Sequence, residues 1–403
     1  MAELIGIDAA RDLIRSRVCQ NKEIRVSLTD AIGNVLAEDV VSDTDSPPYD
    51  KALMDGYAVR SNDIVGPSVC LRVLEEVTAG NLPQHRIVPG TATRIMTGAP
   101  LPDGADAVVM VEKTLSGADP SRVEIRVDTI SPETAVMRQA ACLRRGQAVV
   151  TRGCRLSAVE VGLLAEVGRD SVNVVRKPQV ALVQTGDELV LAGQALLPGQ
   201  IRNSNGPMLR AFVEQAGAQP DDCGIARDNE ASLSAAVKQG LGSDILLLSG
   251  GVSAGVLDLV PQVLEQAGVE QVFHKVNIRP GKPIWFGVVE ADGERCLVFG
   301  LPGNPVSSLV CFCVFVAPAI AACAGHQFPD SGDPKRLAQS FELRGARPTY
   351  WPARSQPDGS VMPLDWQGSA DLYAMMQADC LLFFPQGNHR YAVDELVEVL
   401  PLR

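Results

Sequence analysis

Val180-Ala181-Leu182-Val183-Gln184-Thr185-Gly186-Asp187-Glu188-Leu189 is the stretch on which the fold turns. An apolar run of strand length, Val180–Val183, ends in a glycine turn followed by two acids. The pattern recurs twice. Ile245–Leu248 leads into Ser249-Gly250-Gly251-Val252-Ser253-Ala254-Gly255, and Cys296–Phe299 leads into Leu301-Pro302-Gly303-Asn304-Pro305. A short continuous apolar run bounded by turn signals reads as a strand buried on both faces. Helical patterns alternate with these runs at Pro207–Ala216, Ala231–Gln239, Asp258–Ala267 and Val306–Ala324. Such alternation predicts βαβ units and a parallel sheet over residues 174–327. In an open α/β sheet, ligands bind in the crevice beyond the carboxyl ends of the strands. Glycine there lets the backbone turn tightly and point N–H groups at an anion. Three such turns on one sheet predict a crevice for a phosphorylated ligand.

On the N-terminal side, residues 8–18 predict a short amphipathic helix with Asp8 as N-cap. Leu36–Val41 predicts a strand, and Ser46-Pro47-Pro48 a turn or hinge. From about 50 to 135 the chain has the texture of a β domain. Val69–Val77, Thr93–Thr97, Ala107–Val111 and Val123–Val127 are short alternating runs broken by Gly and Pro. Residues 157–168 predict a helix that starts near Ser157 and stops at Gly168. After Gln327 short strands and turns lead to a last strand at Glu395–Leu400. Leu309–Ala324 approaches transmembrane length. Pro318, the preceding strand and turn, and the lack of flanking Lys or Arg clusters make it a buried core helix, with no membrane partner.

The chain has 403 residues, too many for one ordinary core. Its net charge of −12 excludes a general nucleic-acid binder, which needs a basic face. Ten cysteines occur without a Cys-x-x-Cys pair, and the N-terminus lacks an uninterrupted apolar stretch. The expectation is therefore reduced, mostly buried thiols in a cytoplasmic protein. The four histidines show no ligand spacing.

Several residues carry chemistry by type and place. Adjacent Asp187 and Glu188 past a strand end suit a Mg²⁺ that bridges phosphate oxygens, or else a turn or helix cap. Ser249–Gly255 offers successive N–H groups that form an anion nest, or a tight turn serving helix–sheet packing. Asp258 follows as a natural helix cap. Arg279-Pro280-Gly281-Lys282-Pro283 holds two cations on a proline-stiffened loop, where an oxyanion binds with little further ordering.

Taken in order, six motifs resemble the MoeA family of molybdopterin molybdenumtransferases, related to the E domain of gephyrin. They are Met54-Asp55-Gly56-Tyr57-Ala58-Val59-Arg60, Ile95-Met96-Thr97-Gly98-Ala99-Pro100, the TGDEL, SGGVSAG and RPGKP turns, and LPGNPVS. The resemblance covers nearly the whole chain. It implies a multidomain α/β plus β protein with a central three-layer molybdopterin-binding domain and β-rich flanks. The implied domains are a linker and dimerisation domain at 1–47 and 136–173, a β domain at 48–135, the α/β domain at 174–327 and a β-barrel-like domain at 328–403. It implies insertion of molybdenum from molybdate into adenylylated molybdopterin with release of AMP, and Mg²⁺ as cofactor. It also implies a homodimer whose active site is shared between subunits, supplied by a molybdopterin adenylyltransferase upstream.

By the same resemblance the catalytic set is Asp55, Glu188, Asp228, Asp258 and Lys282. Asp55 would act across the dimer. Asp187, Glu188 and Asp258 would hold the metal. The substrate-binding set is Thr97, Thr185, Gly186, Asp187, Ser249, Gly250, Gly251, Ser253, Arg279, Pro302, Gly303, Asn304, Arg347 and Ser369. The chain departs from the family at three places. Arg279 stands where many members have Lys, Lys51-Ala52 replaces Asn-Ser, and Cys142 stands where an acid is usual. Cys142 reads as a buried, inert thiol. The departures keep open an alternative, a non-catalytic protein that binds or delivers the pterin or its cofactor.

Overall fold

The structure, a computed structural model, describes residues 4–117, 119–252, 259–291, 294–329 and 332–402. The chain forms two compact units. One comprises the chain up to Val26, Gly33–Ala37 and everything from Asn173 onward; the other comprises Ser27–Ile32 and Glu38–Val172.

The first unit is built on β1 (Gln179–Thr185), α1 (Asn205–Gln215), β2 (Gln219–Ala226), α2 (Glu230–Gly240), β3 (Ile245–Ser249), α3 (Val260–Gln266), β4 (Glu270–His274), β5 (Trp285–Ala291), β6 (Glu294–Leu301) and α4 (Pro305–Cys323). The six strands form one sheet in the order β2-β1-β3-β6-β5-β4. The first four run parallel. The expected parallel sheet is thus mixed at one edge, where β5 pairs antiparallel with both β6 and β4. The hairpin that joins β5 to β6 needs no crossover helix, so the direction reverses there.

The apolar runs are continuous because both faces of the sheet are covered. Val180 and Leu182 of β1 face the core that holds α1 and α4, and Ala181 and Val183 face the core that holds α2 and α3. Strand β2 is different: Gln-Pro-Asp-Asp-Cys-Gly-Ile-Ala is polar and contains Pro220, as an edge strand tolerates. Helix α4 has the length and apolarity of a membrane span, yet it packs in the core of the unit, with 78% of its most apolar window buried. Its middle, Phe312–Val316, winds as a π-helix just before Pro318, which has no N–H for the helical ladder.

The N-terminal helix of this unit spans Ile7–Arg17. Asp8 is not its cap: Gly6 holds that position, and Asp8 lies in the first turn, where its charge meets the helix N-terminus. The C-terminal strands Asp333–Arg336, Leu396–Pro401, Cys380–Phe384, Thr349–Ser355 and Val361–Pro363 form a sheet in that order. A bridge between Leu337 and Val361 joins its two edges and curls it on itself.

The second unit has a six-stranded sheet of Ala107–Met110, Gly56–Val59, Thr91–Ile95, Val69–Val77, Arg122–Ile125 and Thr114–Ser116, in that order. Its helix Ala158–Glu166 begins with a capping box, Ser157 with Glu160. The strand expected at Leu36–Val41 is shorter. Only Val40–Val41 pairs within the second unit, because the chain passes between units at Ala37 and Glu38. The cysteines are also less buried than expected. Four of ten are buried, and Cys19, Cys70 and Cys142 are exposed. Cys70 shows why: it sits on the outward face of an amphipathic strand.

Candidate functional site

The carboxyl ends of β1, β3 and β6 open into a crevice of about 680 Å³. Its wall includes Thr185, Gly186, Glu188, Asp228, Ser249, Gly250, Gly251, Pro302, Gly303 and Asn304. The glycine turns foreseen in the sequence therefore meet at one place. They are glycine for different reasons. Gly250 has φ +102°, and a Cβ there would meet the Thr185 carbonyl oxygen at 2.6 Å. Gly251 has φ +62°, and its Cβ would press on Val260 and on Thr185 Oγ1. Gly186 has φ +148°, and the Glu188 carboxylate lies over its Cα. Gly303 is neither strained nor crowded: among the described residues the nearest atom to a Cβ is Gly250 Cα at 3.8 Å. A methyl at Gly303 would therefore fit beside the protein's own atoms.

Side chains that sequence reasoning did not single out form the rest of the wall. Gln184, Asn203 and Asn205 line the crevice and are at most 8% exposed. Asn205 Nδ2 donates to Ser249 Oγ at 2.7 Å and to the Gly303 carbonyl at 2.8 Å, tying the β3 and β6 turns together. The signal was present as Asn203-Ser204-Asn205 just before a helix. Asn304 Nδ2 donates to Ser369 Oγ at 3.1 Å, and the Val306 N–H to the Ser369 carbonyl. Ser369 thus joins the LPGNP turn, and its neighbour Ala370 reaches the crevice wall. The Pro302 carbonyl accepts from the Ser308 hydroxyl.

Asp187 and Asp228 clasp each other at the strand ends of β1 and β2. The Asp187 N–H donates to Asp228 Oδ2 at 3.2 Å, and the Asp228 N–H to Asp187 Oδ1 at 3.3 Å. Glu188 is exposed beside them. Among the described residues no three His, Cys, Asp or Glu side chains converge on a metal position. Ser253 and Asp258, both expected at the site, lie outside the described residues.

The RPGKP loop is braced from two sides. The Arg279 N–H donates to the Pro348 carbonyl and the Arg279 carbonyl accepts from Tyr350 N–H, both at 2.8 Å. Gly281 lies against α4, where a Cβ would meet Cys311 Sγ at 2.5 Å. Arg347 donates to the Ile278 carbonyl at 2.8 Å. Burial, and then the charge of Arg279, lower the Arg347 pKa. Among the described residues no carboxylate forms an ion pair with Arg279, Lys282 or Arg347. These cations do not line the crevice, but Pro283 of the same loop does.

In the second unit, Asp55 Oδ1 accepts from the Thr97 N–H at 2.7 Å and from the Thr97 hydroxyl at 2.6 Å. These bonds hold the Asp55 carboxyl below its ordinary range. Thr97 therefore uses both its donors on Asp55. Cys142 is exposed, against the expectation of a buried thiol. Its N–H is anchored to the Ser46 carbonyl in a loop that leaves the side chain outside.

The chain matches the MoeA N-terminal region (domain I and II) over residues 5–168, the probable molybdopterin binding domain over 181–322, and the MoeA C-terminal region (domain IV) over 335–402. It is 34% identical to the molybdopterin molybdenumtransferase of Synechococcus elongatus, over 99% of this chain and 100% of that one. It is 32% identical to the enzyme of the same name from Staphylococcus epidermidis, over 98% and 95% of the two chains. The molybdopterin biosynthesis MoeA protein of Pyrococcus horikoshii has the same fold, with a TM-score of 0.82, 31% identity and full coverage of both chains. With relatives aligned end to end and its own glycine turns gathered at one crevice, the chain belongs to the molybdopterin molybdenumtransferase family.

Proposed function

We propose that the chain inserts molybdenum from molybdate into adenylylated molybdopterin and releases AMP. Family membership supports the reaction, and one observation carries the placement of the substrate. Gly303 is glycine although nothing among the described residues requires it, and its Cα lies near Gly250. A Cβ there would take up space that the phosphates of a bound nucleotide would occupy. In this reading the N–H groups of Gly251 and Gly303 hold the phosphoanhydride, since those of Gly186 and Gly250 donate to the Ala226 and Leu301 carbonyls, and Thr185, Ser249 and Asn304 flank it. Arg279, Lys282 and Arg347 hold the molybdate. Their charges lack protein counterions among the described residues, and an oxyanion relieves the repulsion between Arg279 and Arg347. The work is positioning and charge neutralisation, as in phosphoryl transfer generally.

The reading includes Mg²⁺ at Asp187 and Glu188, with Asp258 and Asp228 as further acids. These are hard oxygen donors, and Asp187 and Asp228 each commit one oxygen to the other's backbone. A partial carboxylate shell of this kind fits a Mg²⁺ whose other ligands are phosphate oxygens and water. When bound, the ion would neutralise charge on the phosphoanhydride. The reading also includes the four-domain division, a cytoplasmic homodimer with Asp55 supplied by the second copy, and an upstream adenylyltransferase that delivers the substrate. The Asp55 carboxylate, pinned by Thr97 and exposed, is consistent with that role.

The test is AMP release from adenylylated molybdopterin by the purified protein. Molybdate-dependent release with an active cofactor as product is expected. Tight binding without turnover would favour the delivery protein instead, and absence of binding would overturn the reading.

A further inference from the structure

Among the described residues, three polar atoms of the crevice wall are buried without a partner: Gln184 Nε2, Thr185 Oγ1 and Asn205 Oδ1. Each such atom costs about 1–3 kcal/mol unless something bonds to it. Their chemical identities are fixed by neighbours that have no choice. The Gly206 N–H can only donate, and it donates to Asn203 Oδ1 at 2.9 Å. Asn203 Nδ2 must then be the group that faces Gln184, and it donates to Gln184 Oε1 at 3.3 Å. What remains on Gln184 is a donor. The Gly303 carbonyl can only accept, so the end of Asn205 that meets it is Nδ2. What remains on Asn205 is an acceptor. Backbone partners thus settle both amide orientations.

That polarity says something about the ligand. Phosphate and molybdate oxygens accept hydrogen bonds. They would satisfy the Gln184 amide and the Thr185 hydroxyl, but not Asn205 Oδ1. We propose that Asn205 is a specificity residue that reads an O–H or N–H donor on the organic part of the ligand, and that Gln184 supplies the matching donor beside it. The crevice then selects an organic phosphate over a bare phosphate or pyrophosphate. This rests on the pterin-nucleotide reading. Three parts of that ligand carry suitable donors, the ribose hydroxyls, the adenine amino group and the N–H groups of the pterin ring.

The experiment is calorimetric binding to the full-length protein and to Asn205→Ala. The probes are AMP, 2′-deoxy-AMP, 3′-deoxy-AMP, 6-hydroxymethylpterin and pyrophosphate. If a ribose hydroxyl is read, the wild type binds one deoxy analogue about ten- to a hundredfold more weakly than AMP, and Asn205→Ala loses that difference. If the adenine amino group is read, the AMP series is level and Asn205→Ala weakens all three AMP probes while sparing 6-hydroxymethylpterin; if the pterin is read, the AMP series is again level and Asn205→Ala weakens 6-hydroxymethylpterin by a similar factor while sparing AMP. Equal weakening of all five probes would make Asn205 a strut between turns and overturn the proposal. Absence of any difference would overturn it too. Should the wild type bind neither AMP nor the pterin, the underlying reading fails, which is a separate outcome. Thr185→Val, which removes no hydrogen bond seen in the structure, guards against a folding artefact. It should weaken pyrophosphate severalfold and leave the discrimination by Asn205 intact; loss of that discrimination as well would count against the assignment.

Discussion

Two groups of arginines within one unit are built in opposite ways. Arg176 donates to Asp244 at 2.7 Å, and Asp244 also accepts from the Gln179 N–H and from Asn21 Nδ2. Arg295 pairs with Glu290 and caps the Arg17 carbonyl. These cations are neutralised where they stand. Arg279 and Arg347, by contrast, face each other's field, and Arg347 is partly buried as well, which lowers its pKa. A protein selected only for stability gains nothing from that arrangement. On the reading proposed above, the difference separates structural charge, which is paired, from charge held ready for a ligand.

The largest effect should come from removing the second kind. Arg279→Ala with Lys282→Ala should weaken molybdate binding by about a hundredfold, since each lost charge-assisted bond is worth about 1.5–3 kcal/mol. Melting temperature should hold or rise, because repulsion is relieved. Asp244→Ala is the counterpart. Urea unfolding should show a loss of about 2 kcal/mol, from three donors left unpaired. Molybdate affinity should stay at the wild-type value. If Asp244→Ala lowered the affinity and the double variant destabilised the fold, the division between the two groups would be wrong.

The glycines sharpen the same contrast on a smaller scale. Gly250→Ala forces a side chain against the Thr185 carbonyl at positive φ and should cost about 1–3 kcal/mol of stability. Gly303→Ala meets no atom of the described residues closer than 3.8 Å, so stability should change by less than about 0.5 kcal/mol. Binding of AMP should nevertheless fall severalfold. A stable Gly303→Ala protein with wild-type affinity would contradict the placement of the phosphates. The smallest effect concerns Asp55. Its folded pKa is depressed by Thr97, so the stabilisation is present above the unfolded pKa and is lost as pH falls through the folded value. Thr97→Val should therefore raise the Asp55 pKa toward its ordinary range, as read by carboxyl NMR. The acid limb of unfolding should move to higher pH with it.

Much of the site could be read before the fold was seen, for physical reasons. Val180–Val183, Ile245–Leu248 and Cys296–Phe299 are apolar because each is covered on both faces, so their ends and the turns beyond stood out. Strand β2 did not stand out, since an edge strand can be polar. Gln184 was hidden inside a strand, and Asn203 and Asn205 looked like ordinary loop residues. Their importance lies in hydrogen-bond geometry, which no spacing rule encodes. Asp8 and Cys142 were misjudged because one residue of helix register and one loop direction decide a cap or an exposure.

The central claim is that Arg279, Lys282 and Arg347 form an oxyanion site without a counterion among the described residues. Titration of molybdate into the wild type and into the Arg279→Ala, Lys282→Ala double variant, each saturated with AMP, tests it most directly. The expected result is measurable binding to the wild type that falls by about a hundredfold in the variant and weakens with added salt. Equal affinity in the two proteins would contradict the account and move the molybdate elsewhere.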